Sequence, residues 1–486
     1  MKVVLISTYE LGHQPFGLAS PAAWLRARGA AVTCLDLSRE AFREEPVREA
    51  SLVAFYIPMH TATRLAAQLV EPVRRLNPRA HLCCYGLYAS INEAHFRGLG
   101  VQTILGGEFE RALADVVARI EKAVSGSGIV PFDRQEPVIS LDRLNFMVPD
   151  RAGLPPLRRY AQVVLPGGGY LVAGYTEASR GCKHLCRHCP IVPVYGGIFR
   201  VVQRNVVLED VRRQVEAGAE HITFGDPDFF NGPVHALAIV EALHREFPQL
   251  SYDVTIKIEH LLRHADHLEK LRRTGCLFVT TAVEAVDNDI LTRLGKGHTR
   301  ADVLEVAARF RELGLVLQPT FVPFTPWTTL AGYRDLLAVV AEQDLVENIA
   351  PIQLGIRLLI PAGSRLLELE EVRRNAGPFD PAALVYPWKH ADPRLDALAE
   401  HVQDLASAGD KLKRSRSDTF TRIWRAASEL GGQDGAAVLR PSPVMSSRPA
   451  IPHFTEPWYC CAEPTRDQFV SVARASQPLA QRDAFL

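Results

Sequence analysis

No stretch of this 486-residue chain approaches the roughly 18 uninterrupted apolar residues of a membrane-spanning helix, so no membrane span is expected. Neither charge is in surplus. Lysine plus arginine equals aspartate plus glutamate at 55 each, which argues against a generally basic, nucleic-acid-coating protein while leaving room for a local patch. The start, MKVVLISTYELG, lacks the longer apolar region and small-residue cleavage site of a secretory leader, and the expected compartment is the cytoplasm. Cysteines number only nine. In a reducing compartment, clustered thiols more often bind metal or do chemistry than form disulfides. No GxGxxG follows the first apolar strand, which weakens a dinucleotide reading.

What is present is an ordinary globular balance, 47% apolar and 23% charged, over a length that suggests two to three domains. Residues 1–125 alternate compact β-branched runs (2–8, 31–37, 52–58, 81–86, 101–107) with amphipathic stretches, the rhythm of an open parallel sheet covered by helices. Ligands of such sheets bind beyond the carboxyl ends of the strands, here Thr8–Gly12, Pro58–His60, Gly86–Tyr88 and Gly106–Glu108. Residues 126–165 read as a linker with some local helix. A hairpin around the glycines at 167–169 then opens a second strand–helix alternation, 166–392. Its strands are expected at 221–226, 251–257, 276–284, 314–323 and 352–360, with Thr299 as a helix N-cap, and together they form a partial (β/α)6 barrel. A helical extension, 393–430, carries a basic run from Lys411 to Arg425 that reads as a solvated face, an anionic substrate or nucleic acid being the alternative. Residues 431–486 form an extended tail holding Cys460 and Cys461.

The densest chemistry is EASRGCKHLCRHCPIVPVYGG, residues 177–197. Cys182, Cys186 and Cys189 stand at C-x3-C-x2-C spacing in a loop opened by Gly181. Three thiolates that close repel one another unless a metal supplies counter-charge. Structural zinc sites and iron–sulfur electron carriers usually take four protein ligands; three suit a [4Fe-4S] cluster with one iron open to a small molecule. A zinc knuckle completed by His184 or His188 is the competing reading. Cys34, Cys83, Cys84 and Cys276 lie in apolar strand patterns and read as small core residues.

This loop, following the first strand of a barrel, resembles the radical SAM superfamily over about 170–370. The resemblance implies that the open iron holds S-adenosylmethionine. One electron, from an external donor of flavodoxin or ferredoxin type, then cleaves the sulfonium to methionine and a 5′-deoxyadenosyl radical. It further implies SAM contacts at Asp226, Pro227 and Asp228 after the second strand, at Glu284 in the segment ending K-G-H, and at His188, where an aromatic ring usually precedes the third cysteine. Ala282 and Ala285 depart from the family's usual residues. Lys257, Glu259 and Arg357 are substrate or SAM candidates with structural ion pairing as the other reading, and Pro323 shapes the adenine pocket.

An α/β domain ahead of such a barrel is similar to the B12-binding class of the superfamily. That likeness implies a cobalamin site at Met59, His60, Gly86, Leu87, Tyr88, Gly106, Gly107 and Glu108. The DxHxxG motif supplying an axial histidine is absent, since His13 is followed by Phe16 and glycine only at 17. Either cobalamin binds without a protein ligand, and methyl transfer is the favoured reaction, or the domain is vestigial and hydrogen abstraction or radical addition takes its place. The WYCCAEP tail is similar to a subgroup named for a CUAEP or CCAEP C-terminus, in some members of which selenocysteine replaces the second cysteine, Cys461 here. The likeness implies a catalytic chalcogenolate. Bottom-up, adjacent thiols also allow a vicinal disulfide, a soft-atom chelate or a bland tail. The substrate is expected to be a small molecule or peptide. A nucleic-acid-modifying enzyme and a non-catalytic metal-binding protein are the alternatives.

Overall fold

The computed structural model describes residues 1–124, 136–431 and 450–456. Its first layer sequence runs β1 (Lys2–Ser7), α1 (Phe16–Ala27), β2 (Ala31–Asp36), α2 (Glu44–Glu49), β3 (Leu52–Tyr56), α3 (His60–Leu76), β4 (His81–Tyr85), α4 (Leu87–Ile91), α5 (Glu93–Gly98), β5 (Thr103–Gly107) and α6 (Phe109–Val124). The strands are parallel in the order 2-1-3-4-5, extended by β6 (Ile139–Ser140) from the stretch expected to be linker. Alternation along each strand buries both faces: Val4 and Ile6 of β1 enter one core, Val3 and Leu5 the other. The strand order reverses between β1 and β3, so their carboxyl ends diverge there and open a crevice.

The second layer sequence begins with the expected hairpin, β7 (Gln162–Val164) and β8 (Tyr170–Thr176). It continues with β9 (Ser179–Gly181), α7 (Val192–Tyr195), β10 (Phe199–Val201), α8 (Arg204–Glu216), β11 (His221–Phe224), α9 (Pro233–Glu246), β12 (Ser251–Thr255), α10 (Ile258–Arg263), α11 (Leu268–Arg273), β13 (Cys276–Glu284), α12 (Asn288–Leu294), α13 (Arg300–Leu313) and β14 (Val316–Phe321). β8, β11, β12, β13 and β14 form a curled parallel sheet. Thr299 caps α13 in a reciprocal box with Asp302, as its sequence position predicts.

The strand expected at 352–360 does not form. Pro351, which has no N–H to donate, starts a 3-10 turn through Gly355, and only a single bridge joins Arg357 to Phe324. The apolar alternation that suggested a strand is satisfied by packing instead: Ile356, Leu358 and Ile360 bury against Leu366 and Trp388. The barrel is therefore five strands and one bridging residue, open on one side. After α14 (Leu330–Glu342) and α15 (Glu370–Asn375), the helical extension is two helices, α16 (Pro393–Lys411) and α17 (Arg416–Gly431), separated at Lys413, whose φ is 52°. In the basic run, Arg416 donates to Glu347 O, and Arg414 and Arg422 pair with Asp418. From the tail, β15 (His453–Phe454) pairs antiparallel with β7.

Candidate active site

β9 and β10 pair antiparallel, with Gly181 opposite Phe199, and this ladder pins both ends of the cysteine loop. Gly181 has φ 74°, and a Cβ there would lie 2.4 Å from Ile198 O, so the loop's first turn requires glycine. Asn231 holds the loop from outside, accepting from Lys183 N (3.1 Å) and donating to Gly181 O (3.3 Å). Arg187 N donates to Leu294 O and Cys189 N to Cys186 O.

Burial pushes the Cys182 thiol up to about 12 and the Cys186 thiol upward as well. Thiolates at these positions therefore need a strong positive centre beside them. A single tetrahedral ion with bonds of about 2.3 Å draws its sulfurs to roughly 4 Å apart. Among the described residues, the one three-residue group whose donor atoms all lie within 4.8 Å is Cys182, His184 and Asp228, not the three cysteines. The three cysteine sulfurs are thus not drawn together as one tetrahedral ion would draw them, and three thiols in one loop are a donor set compatible with a [4Fe-4S] centre.

Around the loop stand two buried polar networks. In the first, Glu284 lies 3.1 Å from His188 Nε2 and 3.4 Å from Lys296 Nζ. Burial pushes the Glu284 carboxyl up, but Lys296 and His188 overcome it and hold it at about 2. Glu284 ends β13 at φ 71°, where the ladder to β14 slips register; a non-glycine residue in left-handed backbone stores strain at the point where its carboxylate must face inward. In the second, the Asp228 carboxylate meets His260 Nδ1 at 2.7 Å and His184 Nε2 at 3.3 Å. Against burial, these two rings hold it below the ordinary range. Lys257 Nζ reaches His184 Nδ1 at 3.1 Å and Glu259 at 3.4 Å.

A cavity of about 300 Å³ joins these groups to the first domain. Its floor is the cluster loop with His188, Pro227, Asp228, Lys257 and Glu284; its roof is Glu10, Tyr56, Pro58, Met59, Leu87 and Gly107 at the first sheet's strand ends. Arg180, immediately before the loop, ties roof to floor. It is buried against Glu108, Glu110 and Glu177, with Phe16, Phe109 and Phe146 around its guanidinium.

The predicted residues thus divide. Asp226 is behind the wall, accepting from Ala178 N and Ser179 Oγ; burial pushes its carboxyl up to about 7. Glu259 serves as partner to Lys257 and Arg263. Arg357 lies outside the cavity, paired with Asp396 and stacked 4.1 Å over Trp388, which is the structural ion pairing its sequence position left open. Pro323 is also outside it, its carbonyl accepting from Thr328 Oγ1. Of the first-domain set, Met59, Leu87 and Gly107 face the cavity. His60 reaches Ala383 O, Glu108 faces Arg180 and Tyr195, and Gly86, Tyr88 and Gly106 lie behind the lining. His13 packs between Tyr175 and Phe454. Cys460 and Cys461 lie outside the described residues. Sequence reasoning missed Glu10, Glu177, Arg180 and Lys296 as site residues. Of these only Lys296, inside the K-G segment quoted for the resemblance, carried a local signal.

Residues 176–326 match the radical SAM superfamily. The chain carries a radical SAM domain. The superfamily of this domain uses a [4Fe-4S] cluster and S-adenosylmethionine in its chemistry. A hopanoid C-3 methylase of Methylococcus capsulatus is 25% identical over 326 residues, covering 65% of this chain and 62% of the relative. A ribosomal protein uS12 methylthiotransferase of Geobacter sulfurreducens is 24% identical over 179 residues, 35% of this chain and 39% of its own length. The chain thus spans about three fifths of the first relative and two fifths of the second. The radical SAM methyltransferase TsrM of Kitasatospora setae, solved with cobalamin and a [4Fe-4S] cluster, shares the fold at TM-score 0.61 and 16% identity over 88% of this chain and 99% of that one. The cobalamin-dependent radical SAM enzyme OxsB, solved with aqua-cobalamin, matches at TM-score 0.61 and 14% identity over 84% and 67%. No described helix is long and apolar enough to cross a membrane.

Proposed function

We propose that this radical SAM enzyme is a cobalamin-dependent methyltransferase acting on a small molecule or peptide. The observation that carries the reading is the continuous cavity running from the first sheet's strand ends to the cysteine loop, since a methyl carrier above and a cluster below must share one space. The names of the hopanoid methylase and TsrM point the same way.

The roof residues fit a broad, flat ligand: Met59, Leu87 and Gly107 offer apolar and backbone surface, and the Glu10 Oε2 atom, buried and without a hydrogen-bond partner, offers one polar contact. Burial, with Glu177 and Asp36, drives the Glu10 carboxyl well above its ordinary range, which favours its protonated, hydrogen-bond-donating form. Neither His13 nor His60 lines this cavity, and among the described residues His60 Nε2 reaches Ala383 O instead. When bound, cobalamin supplies a transferable methyl group. Cys182, Cys186 and Cys189 would hold the cluster; Glu284 with His188 and Asp228 with its two histidines would orient S-adenosylmethionine; the cavity walls exclude water from a radical. An external one-electron donor completes the system.

The tail pair is read as a redox, carrier or soft-atom group of the same site. Supporting this, Glu456 is anchored by Tyr9 and Arg39 beside Leu11, which lines the cavity, and Cys460 stands four residues further, within about 14 Å of extended chain.

Anaerobic reconstitution with and without cobalamin, read by mass spectrometry, tests the proposal. 5′-Deoxyadenosine together with S-adenosylhomocysteine, the latter only with cobalamin, is expected. Deoxyadenosine formed equally without cobalamin, and no homocysteine product with it, refutes methyl transfer. For the tail, Cys461→Ser should abolish turnover while deoxyadenosine still forms; full turnover returns the pair to filler.

A further inference from the structure

Three buried atoms beside the cysteine loop converge without a hydrogen bond to any partner: Asp228 Oδ2, His184 Nε2 and His260 Nδ1. The carboxylate oxygen stands 2.7 Å from the His260 nitrogen and 3.3 Å from the His184 nitrogen, close enough to bond but outside the angles that bonding needs. Asp228 and His260 are 1% and 2% exposed, so bulk water does not reach them. A carboxylate and two imidazoles left this way are costly. The Cys182 sulfur completes the group, since a donor atom from each of Cys182, His184 and Asp228 lies within 4.8 Å of the other two.

The donors name the ligand. One thiolate, two imidazoles and one carboxylate are the set of a borderline divalent transition metal, zinc or ferrous iron, and suit neither calcium nor magnesium. Donor atoms around one tetrahedral ion stand roughly 3.3–3.8 Å apart, so the group has to contract only slightly. The outer contacts fit as well. With an ion on Nε2, the His184 ring proton sits on Nδ1, which faces Glu259 Oε2 at 3.5 Å. Lys257 then gives up the ring and keeps that carboxylate, 3.4 Å from its Nζ. An entry path is also present. Imidazole rings run from the half-buried His267 to His264 at 6.0 Å, on to His260 at 5.7 Å and to His184 at 4.6 Å, offering an arriving ion a ligand at each step.

We propose that Cys182, His184, Asp228 and His260 form a mononuclear site for one divalent transition-metal ion, occupied only while the cysteine loop carries no cluster. Binding displaces the Cys182 thiol proton to solvent and changes no oxidation state. The zinc knuckle considered from the sequence needs three cysteines and one histidine; here a single cysteine takes part, and Cys186 and Cys189 lie outside the group. Exclusion by the cluster rests on the radical SAM reading: once Cys182 ligates the cluster it cannot serve the ion, and Asp228 with its histidines is freed for S-adenosylmethionine.

Cobalt(II) titration of the full-length chain, purified anaerobically and stripped by a chelator, tests the site. One equivalent should bind, with a thiolate-to-cobalt charge-transfer band and the visible transitions of a tetrahedral ion. Losing an outer partner costs a metal site about tenfold or more, so His260→Gln, which removes a ligand, should weaken binding by at least that factor. Asp228→Asn, nearly isosteric, should do likewise, with far-ultraviolet circular dichroism separating ligand loss from fold loss. Cys189→Ser should bind cobalt as the parent does. Zinc added before reconstitution should slow cluster uptake in the parent and not in His260→Gln, and the cluster-bearing chain should show no cobalt–thiolate band. Unchanged affinity in folded His260→Gln and Asp228→Asn overturns the site. So does a loss in Cys189→Ser equal to that in Cys182→Ser, which would assign the ion to the thiol triad. A chain that binds cobalt in this way but takes up no cluster under any reconstitution overturns the radical SAM reading instead.

Discussion

Replacing Glu284 by glutamine removes one charge from a buried set and leaves the shape nearly unchanged. The Lys296 ammonium 3.4 Å away and His188 at 3.1 Å lose their counter-charge in a site with almost no solvent. Two routes to the magnitude agree. The carboxyl is held at about 2 against an ordinary 4.5, which at about 1.36 kcal/mol per unit is about 3 kcal/mol. Breaking a buried ion pair from one side costs about 3–5 kcal/mol. The expected result is a urea transition of the barrel domain at pH 7 weakened by about 3 kcal/mol, together with a loss of S-adenosylmethionine affinity in equilibrium binding. Lys296→Met alone should cost a similar amount. The double variant, with no uncompensated charge, should be less destabilised than the sum of the two. The sign with pH is fixed: a depressed carboxyl stabilises fully above about pH 4.5 and loses its contribution as pH falls through about 2, so Glu284→Gln and the parent should converge in acid. Loss of less than about 1 kcal/mol, or strict additivity in the double variant, would refute the assignment of Glu284 as the counter-charge that holds this wall together.

Three further outcomes follow from the same structure. Cys186→Ser should lower iron content and visible absorbance after anaerobic reconstitution while the far-ultraviolet circular dichroism stays unchanged. Arg180→Met removes the shared partner of Glu108, Glu110 and Glu177; it should destabilise by several kcal/mol at pH 8 and less at pH 5, because burial has already pushed Glu108 up to about 7 and protonation relieves the repulsion. Denaturant midpoints at the two pH values check it. Burial lowers His13 to about 4, opposed by Asp253 and reinforced by His221 and Arg39, so the stability it contributes is complete above about pH 6.5 and drains away as pH falls toward 4. His13→Phe should flatten that acid limb of the stability profile.

The chain's local pattern determined a good deal by itself. Alternating β-branched strands and amphipathic helices could hardly bury their faces except as a parallel sheet between helices, and both α/β layers formed as expected. Three thiols within eight residues pointed to a metal centre because their mutual repulsion is a local fact, and the structure gathers them in one loop facing the cavity. The failures were of another kind. Pro351 and packing onto Trp388 cancelled a strand whose alternation looked sound, because burial can be satisfied without a ladder. Arg357 and Asp226 carried the right chemistry at expected positions, yet Asp396 and Ser179 claimed them. Glu10, Arg180 and Glu177 carry no motif, and they matter only because two domains meet. Spacing along the chain decides which groups are neighbours within a loop. Only the tertiary structure decides which of them face one shared cavity, because burial, and with it the direction in which the Glu10 and Glu284 carboxyls shift, is a property of what the rest of the fold places around them.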